Sequence, residues 1–435
     1  MKCLFVYPNS EGYPIIPLGI SVLSGILKHY GHETDLFDMT FIISKRADNE
    51  ARETSGVVKK VNVDDYWGKG DNIDPDQAFR DKIRSFNPDL IAFSVVESNY
   101  VCAKNLMDIA KEFDIPTVAG NIFPTINPDL FKNDVDFVCV GEGEYAIKQL
   151  LEEGKMDVIT KYYDWEPNIY QDWSIFDLRH LMKPFTGKMY KTGYFEMSRG
   201  CPNHCSYCIN HLNQEIYSGM GLHSYNRRKS LIYAIKEMKY LKDKHSLELI
   251  FFNDENFLQG IDMTMFRDKY KDVGLPFFIM TRADTLLKEE SVRMLKDAGC
   301  ATIGIGVECG NEKFRREILN KGIPNRIYKQ AFDNCHKYDI RTTANVMIGL
   351  PFETEELIRE SADFCRELKA RSISLSIFTP FQGTKLRQVC IDNGFMEDKI
   401  YDDISIRKDS VLDMSQLSKE RIRELYDEFN GMVYR

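Results

Sequence analysis

The sequence predicts an α/β protein with two successive sheet units and a helical C-terminal tail. Short β-rich runs alternate with helical periods over residues 1–153, which is typical of a doubly wound, Rossmann-like parallel sheet. Six further strand-helix repeats over residues 191–394 predict a partial (β/α)6 barrel of the TIM type. Residues 154–190 have little periodicity and are predicted to be a linker, and residues 395–435 are charged and helical in pattern.

Five candidate strands define the first unit: KCLFVY, ETDLFD, DLIAFSVV, PTVAG and DFVCV. Between the first two, Ile20, Leu23 and Leu27 recur at helical spacing, which predicts a crossover helix. Sheets of this type bind ligands at the carboxyl ends of their strands, so the loops that follow the strands are candidate ligand contacts. Residues 40–74 are polar and are predicted to be irregular, before a helix that starts near Asp76.

Six candidate strands define the second unit: TGYFEMS, LELIFFND, PFFIMTR, TIGIGVE, TTANVMIG and SISLSIF. Most of them end in, or lead into, polar or glycine residues. Because β/α barrels carry their functional groups at the carboxyl ends of the strands, these ends are the predicted active site.

The length and net charge of the chain indicate which kinds of substrate and binding partner to expect. A chain of 435 residues is too long for one typical core, and a net charge of −9 argues against a surface that grips nucleic acid phosphates. A small-molecule or peptide substrate fits this charge better. The sequence begins without an evident secretory signal and contains no apolar run of the roughly 20 residues that a spanning helix needs, so we expect a cytoplasmic protein without a membrane span.

Three of the eleven cysteines are clustered. The other eight are predicted to be small, mostly buried residues: Cys3, Cys102, Cys139, Cys300, Cys309, Cys335, Cys365 and Cys390. Cys201, Cys205 and Cys208 follow the first barrel strand with C-x3-C-x2-C spacing, which suits an iron-sulfur cluster or zinc. A zinc site would need a fourth ligand, for which His204 and His211 are near in sequence. Three thiolates on a four-iron cube leave one iron open to a substrate.

The segment CPNHCSYC resembles the cysteine loop of the radical S-adenosylmethionine (SAM) superfamily. The resemblance implies that Cys201, Cys205 and Cys208 bind a catalytic 4Fe-4S cluster whose open iron holds the methionyl end of SAM. Electron transfer from the cluster then gives a 5'-deoxyadenosyl radical. Tyr207 matches the aromatic residue beside the SAM adenine.

Later segments resemble the SAM contacts of the same superfamily. FFNDENF matches the acidic motif at the SAM amino group, TRAD a site near the SAM carboxylate, and GVECG and IGLPFET the ribose and adenine contacts. The implied SAM contacts are Asp254, Glu255, Arg282, Glu308, Ile348 and Gly349. The alternative is that these charged residues are solvated strand ends.

The first unit resembles the cobalamin-binding domain that precedes the barrel in one radical SAM class. IPLGISVLSGILKHYGHE, PDLIAFSVV, AGNIFPTINPD and DFVCVGEGE carry this resemblance, with Ala119 where many relatives have a glycine. A dinucleotide fingerprint is absent after the first strand, which argues against NAD binding.

The resemblance implies where cobalamin would lie. The unit contains no Asp-x-His-x-x-Gly motif, so no histidine is expected on the lower face of the cobalamin. The benzimidazole tail would lie near Ser94, Gly120 and Glu142, and the loop that contains Asn99 would lie near the corrin. The alternative is that these are turn and cap residues of an unliganded domain.

Together the two units indicate a cobalamin-dependent radical SAM methyltransferase of the class B type. One SAM would methylate cobalamin, and a second SAM would generate the radical that activates an unactivated substrate carbon to take the methyl group from methylcobalamin. An external electron donor such as flavodoxin or ferredoxin would reduce the cluster.

Other functions stay open at this stage. The same cofactors could serve a rearrangement, cyclization or oxidation without methyl transfer, and a non-catalytic zinc- or cobalamin-binding protein is a further alternative. A methylthiotransferase is disfavoured, because Cys3, Cys102 and Cys139 are scattered and do not form a second cluster motif.

Overall fold

The computed structural model describes residues 1–9, 13–42, 53, 59–71, 73–153, 162–163, 168–223, 225–401 and 409–434. Parts of the predicted linker (154–161 and 164–167), of the irregular excursion (43–52, 54–58 and 72) and of the C-terminal region (402–408 and 435) lie outside the described residues. Among the described residues, no helix combines the length and apolar content needed to cross a bilayer.

The first unit is a five-stranded, fully parallel sheet with strand order β2-β1-β3-β4-β5. Its strands are β1 Lys2–Tyr7, β2 Glu33–Asp38, β3 Leu90–Ser94, β4 Thr117–Gly120 and β5 Phe137–Val138. Its helices are α1 Leu18–His29, α2 Asp64–Trp67, α3 Pro75–Phe86, α4 Tyr100–Ala110, α5 Ile122–Ile126, α6 Pro128–Phe131 and α7 Gly143–Glu153. The predicted doubly wound fold is confirmed.

The first sheet is covered on both faces, as a parallel sheet requires. Cys3 and Phe5 of β1 point into an apolar cluster that continues into the second unit. Leu4 and Val6 point into a separate cluster under α3 and α4. The two units therefore share part of one core.

The second unit is a seven-stranded sheet with order β14-β13-β12-β11-β10-β7-β6. Its strands are β6 Met182–Phe185, β7 Lys188–Phe195, β10 Leu249–Phe252, β11 Phe277–Thr281, β12 Cys300–Glu308, β13 Arg341–Ile348 and β14 Ser372–Ile377, and a separate ribbon pairs β8 Ser198–Arg199 with β9 Arg227–Arg228. Its helices are α8 Ile209–Gly219, α9 Leu231–His245, α10 Met263–Tyr270, α11 Glu289–Ala298, α12 Glu312–Glu317, α13 Asn325–Lys337, α14 Glu355–Glu367, α15 Lys385–Asp392 and α16 Lys419–Tyr434. The six predicted strands are parallel neighbours, which confirms the partial barrel.

The barrel sheet gains one strand that the sequence did not suggest. β6 lies within the segment predicted to be a linker and pairs antiparallel with β7. Thr186 and Gly187 both have positive φ, 51° and 84°, as the tight turn of a right-twisted hairpin requires. A β-branched residue at the first of these positions gives no turn signal, which explains why this hairpin was missed.

The described part of the predicted linker packs between the units. Asp172 accepts a bond from Ser24 of α1 and forms an ion pair with Lys28. A Cβ at Gly25 would lie 2.1 Å from the Tyr170 carbonyl oxygen, so the close approach of this segment to α1 requires glycine.

Candidate active site

The cysteine loop lies at the carboxyl ends of the barrel strands and is anchored there by backbone contacts. The Ser206 amide donates to Leu319 O at 3.0 Å, and the Leu386 amide donates to Ser206 O at 2.9 Å. Asn320 donates a side-chain bond to His204 O at 2.7 Å. The segment after α12 and the start of α15 thus hold the loop in one conformation.

The three thiols lie in different surroundings on this loop. Cys205 is buried, and Cys201 and Cys208 are half-buried. Side-chain amides of Asn203 and Asn210 lie 3.2 and 3.7 Å from the Cys201 and Cys208 sulfurs, as donors to a thiolate would. Burial raises the pKa of Cys208 to about 11, so metal binding would have to drive its deprotonation.

The donor set fits a cluster with three protein ligands. Within the described ranges, no three His, Cys, Asp or Glu side chains converge as they would around a single metal ion. In a four-iron cube each thiolate binds a different iron, so the sulfurs need not converge on one point. His204 is exposed and His211 is buried, and none of the described residues is a hydrogen-bond partner of the His211 Nδ1.

Tyr207 and Glu308 meet beside Cys205. Tyr207 interacts electrostatically with the Glu308 carboxylate, which pairs with Lys321 Nζ at 2.8 Å. Glu308 has a φ of 66° at a register shift in β12, and this bulge turns its backbone out of the strand. Burial raises the pKa of Tyr207 well above its usual range, and Glu308 adds to the effect. Two sequence-predicted SAM contacts are thus brought next to a predicted cluster ligand.

Arg282 and the β13 end lie elsewhere around this mouth. Arg282 follows β11, pairs with Asp284 at 2.8 Å and lines a small pocket with Asn203 of the cysteine loop. Ile348 is fully buried, and the Gly349 amide donates to a carboxylate oxygen of Glu353 at 2.6 Å. Ile348 and Gly349 are therefore both buried behind the surface of the barrel mouth.

Asp254 differs from the expectation that it meets the SAM amino group directly. Its carboxylate is fully buried and accepts bonds from the Met197 amide at 3.0 Å and the Ser198 hydroxyl at 2.5 Å. Both oxygens are engaged in fixing the chain between β7 and the cysteine loop. These contacts favour a positioning role, whereas Glu255 opens into a cavity between the units.

The cavity between the units has a volume of about 560 Å³ and is called the interdomain cavity below. The first unit contributes strand ends and the GEGE segment, and the second unit contributes α8, which starts directly after Cys208. The predicted cobalamin contacts Ser94, Gly120 and Glu142 line it. Its apolar walls and polar rim suit a cofactor with a flat aromatic tail. The residues present therefore fit cobalamin.

Asn99 lies in an adjoining cavity of about 430 Å³ that shares Ser94 with the first. The Asn99 side chain accepts a bond from the Val96 amide at 2.9 Å and so shapes its loop. In the same loop, buried Glu97 pairs with Arg387 at 3.4 Å and accepts from the Gln382 amide at 2.8 Å. This loop therefore also docks the first unit onto the barrel.

A buried charge network borders the interdomain cavity, and the sequence did not reveal it. Arg199 Nη2 lies 2.6 Å from both Glu144 and Glu196, and Arg199 Nη1 lies 3.4 Å from Glu142. Arg227 also pairs with Glu142. The Glu142 carboxylate, expected to face the cobalamin tail, is thus engaged with two arginines. The sequence signal for this network was the position of Arg199, a charged residue only two positions before the cluster ligand Cys201.

The network sets unusual proton affinities around this cavity. Burial acts to raise the pKa of Glu196, but Arg199 and Lys229 outweigh it and lower that pKa to about 2. Glu255 has the opposite shift: burial, with help from the carboxylates of Glu196 and Asp254, raises its pKa to about 7. Glu255 can therefore exchange a proton near neutral pH.

Two family models match the chain. The radical SAM superfamily matches residues 195–365, and the B12 binding domain matches residues 55–151. The chain is a radical SAM enzyme with a B12-binding domain. Its cofactors are accordingly the 4Fe-4S cluster, SAM and cobalamin, as the resemblance implied.

Relatives and solved structures agree with this assignment. An uncharacterized methyltransferase of Pyrococcus horikoshii is 24% identical over 72% of this chain and 72% of its own length. Cytidylyl-2-hydroxyethylphosphonate methyltransferase of Streptomyces wedmorensis is 22% identical over 95% and 85% of the two chains. The radical SAM methyltransferase TsrM from Kitasatospora setae, solved with cobalamin and a [4Fe-4S] cluster, is 16% identical, with a TM-score of 0.66 over 98% of this chain and 84% of that one. The last likeness shows that the two chains share a fold.

Proposed function

We propose that this radical SAM enzyme transfers a methyl group from cobalamin to an unactivated carbon of a small-molecule or peptide substrate. The observation that carries the proposal is the interdomain cavity, which is lined both by the strand ends of the B12-binding domain and by α8, the helix that starts after Cys208. A corrinoid in this cavity would lie beside the cluster loop. Two cofactors that act in succession on one substrate need this proximity.

When bound, the cluster and SAM supply a radical that removes hydrogen from carbon, and cobalamin supplies a methyl group that originates from a second SAM. Cys201, Cys205 and Cys208 would hold the cluster. Tyr207 and Glu308 would orient SAM, because both interact electrostatically with Cys205.

The remaining predicted site residues would have distinct tasks. Arg282, Glu255, Ile348 and Gly349 would border SAM, and Asp254 would fix the strand end that carries the cysteine loop. Ser94, Asn99, Gly120 and Glu142 would border cobalamin. An external flavodoxin- or ferredoxin-type protein would donate the electrons.

The names of the relatives support methyl transfer and also define the alternative. The hopanoid C-3 methylase of Methylococcus capsulatus is 23% identical over 88% of this chain. The anaerobic magnesium-protoporphyrin IX monomethyl ester cyclase of Rubrivivax gelatinosus is 23% identical over 89% of it. The alternative function is thus a cobalamin-dependent cyclization, rearrangement or oxidation without methyl transfer.

Methyl-labelled SAM distinguishes these functions. The anaerobically reconstituted chain is incubated with labelled SAM, reduced cobalamin and a chemical reductant. We expect S-adenosylhomocysteine to form together with label on the corrinoid, and 5'-deoxyadenosine to form from other SAM molecules. Formation of 5'-deoxyadenosine without S-adenosylhomocysteine would overturn methyl transfer and favour the alternative.

A further inference from the structure

A second large cavity lies on the concave face of the barrel sheet, away from the interdomain cavity. Its volume is about 770 Å³, and we call it the lumen cavity. It is bordered by both edges of the sheet, since Lys183 to Gly187 of the β6–β7 hairpin and Arg371 to Ser374 at the start of β14 line it. Asn9, Tyr13 and Ile15 of the first unit reach it from the side.

The lumen cavity is cationic although the chain has a net charge of −9. Four cationic residues line it: Lys59, Lys183, Arg341 and Arg371. Glu53 is the acidic residue among its described lining. Among the described residues, no carboxylate lies within 4.0 Å of the charged nitrogens of these four side chains. By contrast, Arg282 and Lys321 at the carboxyl ends of the barrel strands do pair with carboxylates.

Lys183 is half-buried and is surrounded by aromatic rings, whereas Lys59, Arg341 and Arg371 are exposed. The Lys183 ammonium lies 4.5 Å from the centroid of the Phe251 ring and 5.4 Å from that of Tyr194. Its closest oxygen partner is the Tyr13 hydroxyl at 3.5 Å. Ring faces attract a cation but leave its hydrogen-bond donors unused, so an anion could bind Lys183 without displacing a protein partner.

Strand register places Arg341 and an aromatic platform in one row. Phe251 is paired with Phe278, Phe278 with Thr302, and Thr302 with Arg341. The rings of Phe251 and Phe278 are stacked, with centroids 4.4 Å apart. This row forms the floor of the lumen cavity. The next inward-facing row includes Gly304, whose lack of a side chain makes room for the Phe278 ring, since an added Cβ would lie 3.0 Å from that ring.

We propose that the lumen cavity is the substrate site and that it selects a substrate with an apolar or aromatic body and an anionic group, a carboxylate or phosphate. The anionic group binds the half-buried Lys183 ammonium at the floor row, and the exposed Arg341 and Arg371 make the other edge of the cavity positive. The apolar body packs on Phe251 and Phe278. This inference rests on the proposed function, because it assigns the substrate of the same site.

The geometry of the strands then directs the reacting carbon toward the carboxyl ends of the barrel strands, where the cysteine loop lies. Thr302 of the floor row and Glu308 beside the cysteine loop are the third and ninth residues of β12. At about 3.3 Å per residue, they are separated by about 20 Å along the strand. An anion held at the floor therefore leaves the opposite end of an extended substrate directed toward the cluster.

A pair of probes tests the anion requirement without knowledge of the natural substrate. 8-Anilinonaphthalene-1-sulfonate carries an anion, and N-phenyl-1-naphthylamine has the same rings without it. Binding of each is measured by equilibrium dialysis to the full chain loaded with cluster, SAM and cobalamin, so that the interdomain cavity is filled. We expect the sulfonate to bind about tenfold more tightly than the neutral amine.

Variants assign this preference to the lumen. Lys183→Gln and Arg341→Gln should each weaken sulfonate binding several-fold and leave the neutral probe unchanged, which also shows that the variants fold. Arg293→Gln, on the exposed face of α11, is the matched control and should change neither probe. We also combine Lys183→Gln and Arg341→Gln in one double variant. Equal binding of the two probes, failure of both probes to bind, or an undiminished preference of the double variant for the sulfonate would overturn the inference.

The same samples separate this inference from the proposed function. Release of S-adenosylhomocysteine from labelled SAM is measured beside the dialysis. Intact release without anion preference contradicts only the substrate assignment. Anion preference without release contradicts only methyl transfer.

Discussion

The two large cavities of this radical SAM enzyme treat charge in opposite ways. Around the interdomain cavity, Arg199 is surrounded by three carboxylates, and its neighbours Arg227 and Lys229 are also paired. In the lumen cavity, Lys183 and Arg341 have no ion-pair partner among the described residues. Because the charges around the interdomain cavity are already paired, this cavity suits a resident cofactor. The unpaired cations of the lumen cavity can instead bind a ligand of opposite charge.

We expect the largest effect when a cluster ligand is removed, which should stop SAM cleavage without changing either cavity. Cys205→Ala should reduce 5'-deoxyadenosine formation to background, because the cluster loses a ligand. Cobalamin binding should persist, since Cys205 does not line the interdomain cavity. Cys102→Ala, a half-buried thiol of the first unit, is the control and should retain SAM cleavage. Substantial cleavage by Cys205→Ala would refute the cluster assignment.

The charge network should dominate the stability of the interdomain cavity. Arg199→Met leaves three buried carboxylates with less compensation, and we expect a loss of about 3–5 kcal/mol in the free energy of unfolding. Denaturant unfolding with cobalamin absorbance as a second probe measures it. Arg293→Met removes exposed pairs on α11 and should cost less than about 1 kcal/mol. Similar losses in the two variants would remove the distinction between the network and an ordinary surface pair.

Glu353 is a buried carboxyl that, among the described residues, has no cationic partner, in contrast to the carboxylates around Arg199. Burial raises the pKa of Glu353 to about 8 despite the Gly349 and Leu350 amides, and within the described part of the chain its Oε1 has no hydrogen-bond partner. A carboxyl with a raised pKa stabilises the fold fully below its unfolded pKa, and this contribution is lost as the pH rises through 8. The unfolding free energy of Glu353→Gln relative to the parent chain should therefore rise between pH 5 and pH 8.5, by on the order of a few kcal/mol.

Glu355 supplies the control with the opposite shift. Arg421 and Arg359 lower the pKa of this half-buried carboxyl to about 2, so it stays ionised from pH 5 to pH 8.5. The difference between Glu355→Gln and the parent should be constant over that interval. If the Glu353→Gln difference were equally constant, Glu353 would have to be ionised throughout.

The smallest expected effect concerns space in the lumen. A Cβ at Gly304 would lie 3.0 Å from the Phe278 ring and 3.3 Å from Met280 Cγ, so Gly304→Ala should shift the aromatic platform at a cost of about 1 kcal/mol. Both naphthyl probes should bind more weakly, while SAM binding is unchanged. Gly219→Ala, where no atom lies within 4 Å of the added Cβ, should leave both probes unaffected. Unaltered probe binding in Gly304→Ala would show that the probes lie outside the lumen.

Local sequence signals predicted most of the fold. β1 coincides with KCLFVY, and the other predicted strands lie within a few residues of their positions, because buried parallel strands give continuous apolar runs. The β6–β7 hairpin was missed, since its turn begins with Thr186 at positive φ, where the sequence has no typical turn residue.

The site was predicted only as far as its motifs extend. Cys201 to Cys208 are contiguous, so their grouping is visible in sequence, and the contact of Tyr207 with Glu308 joins two of the motifs. The partners of Arg199 were not predictable, because Glu144 precedes it by 55 residues and belongs to the other unit. The engagement of Asp254 with the β7 end likewise arises from tertiary packing, which residue type does not specify.

The open iron on the cysteine loop is the claim on which the chemistry of both cavities depends, and electron paramagnetic resonance of the reduced, anaerobically reconstituted chain tests it most directly. We predict a cluster signal that changes when SAM is added, as an iron without a protein ligand allows. Iron analysis of the same sample should give about four irons per chain. A chain that binds one zinc ion, or a cluster signal that SAM leaves unchanged, would contradict the account.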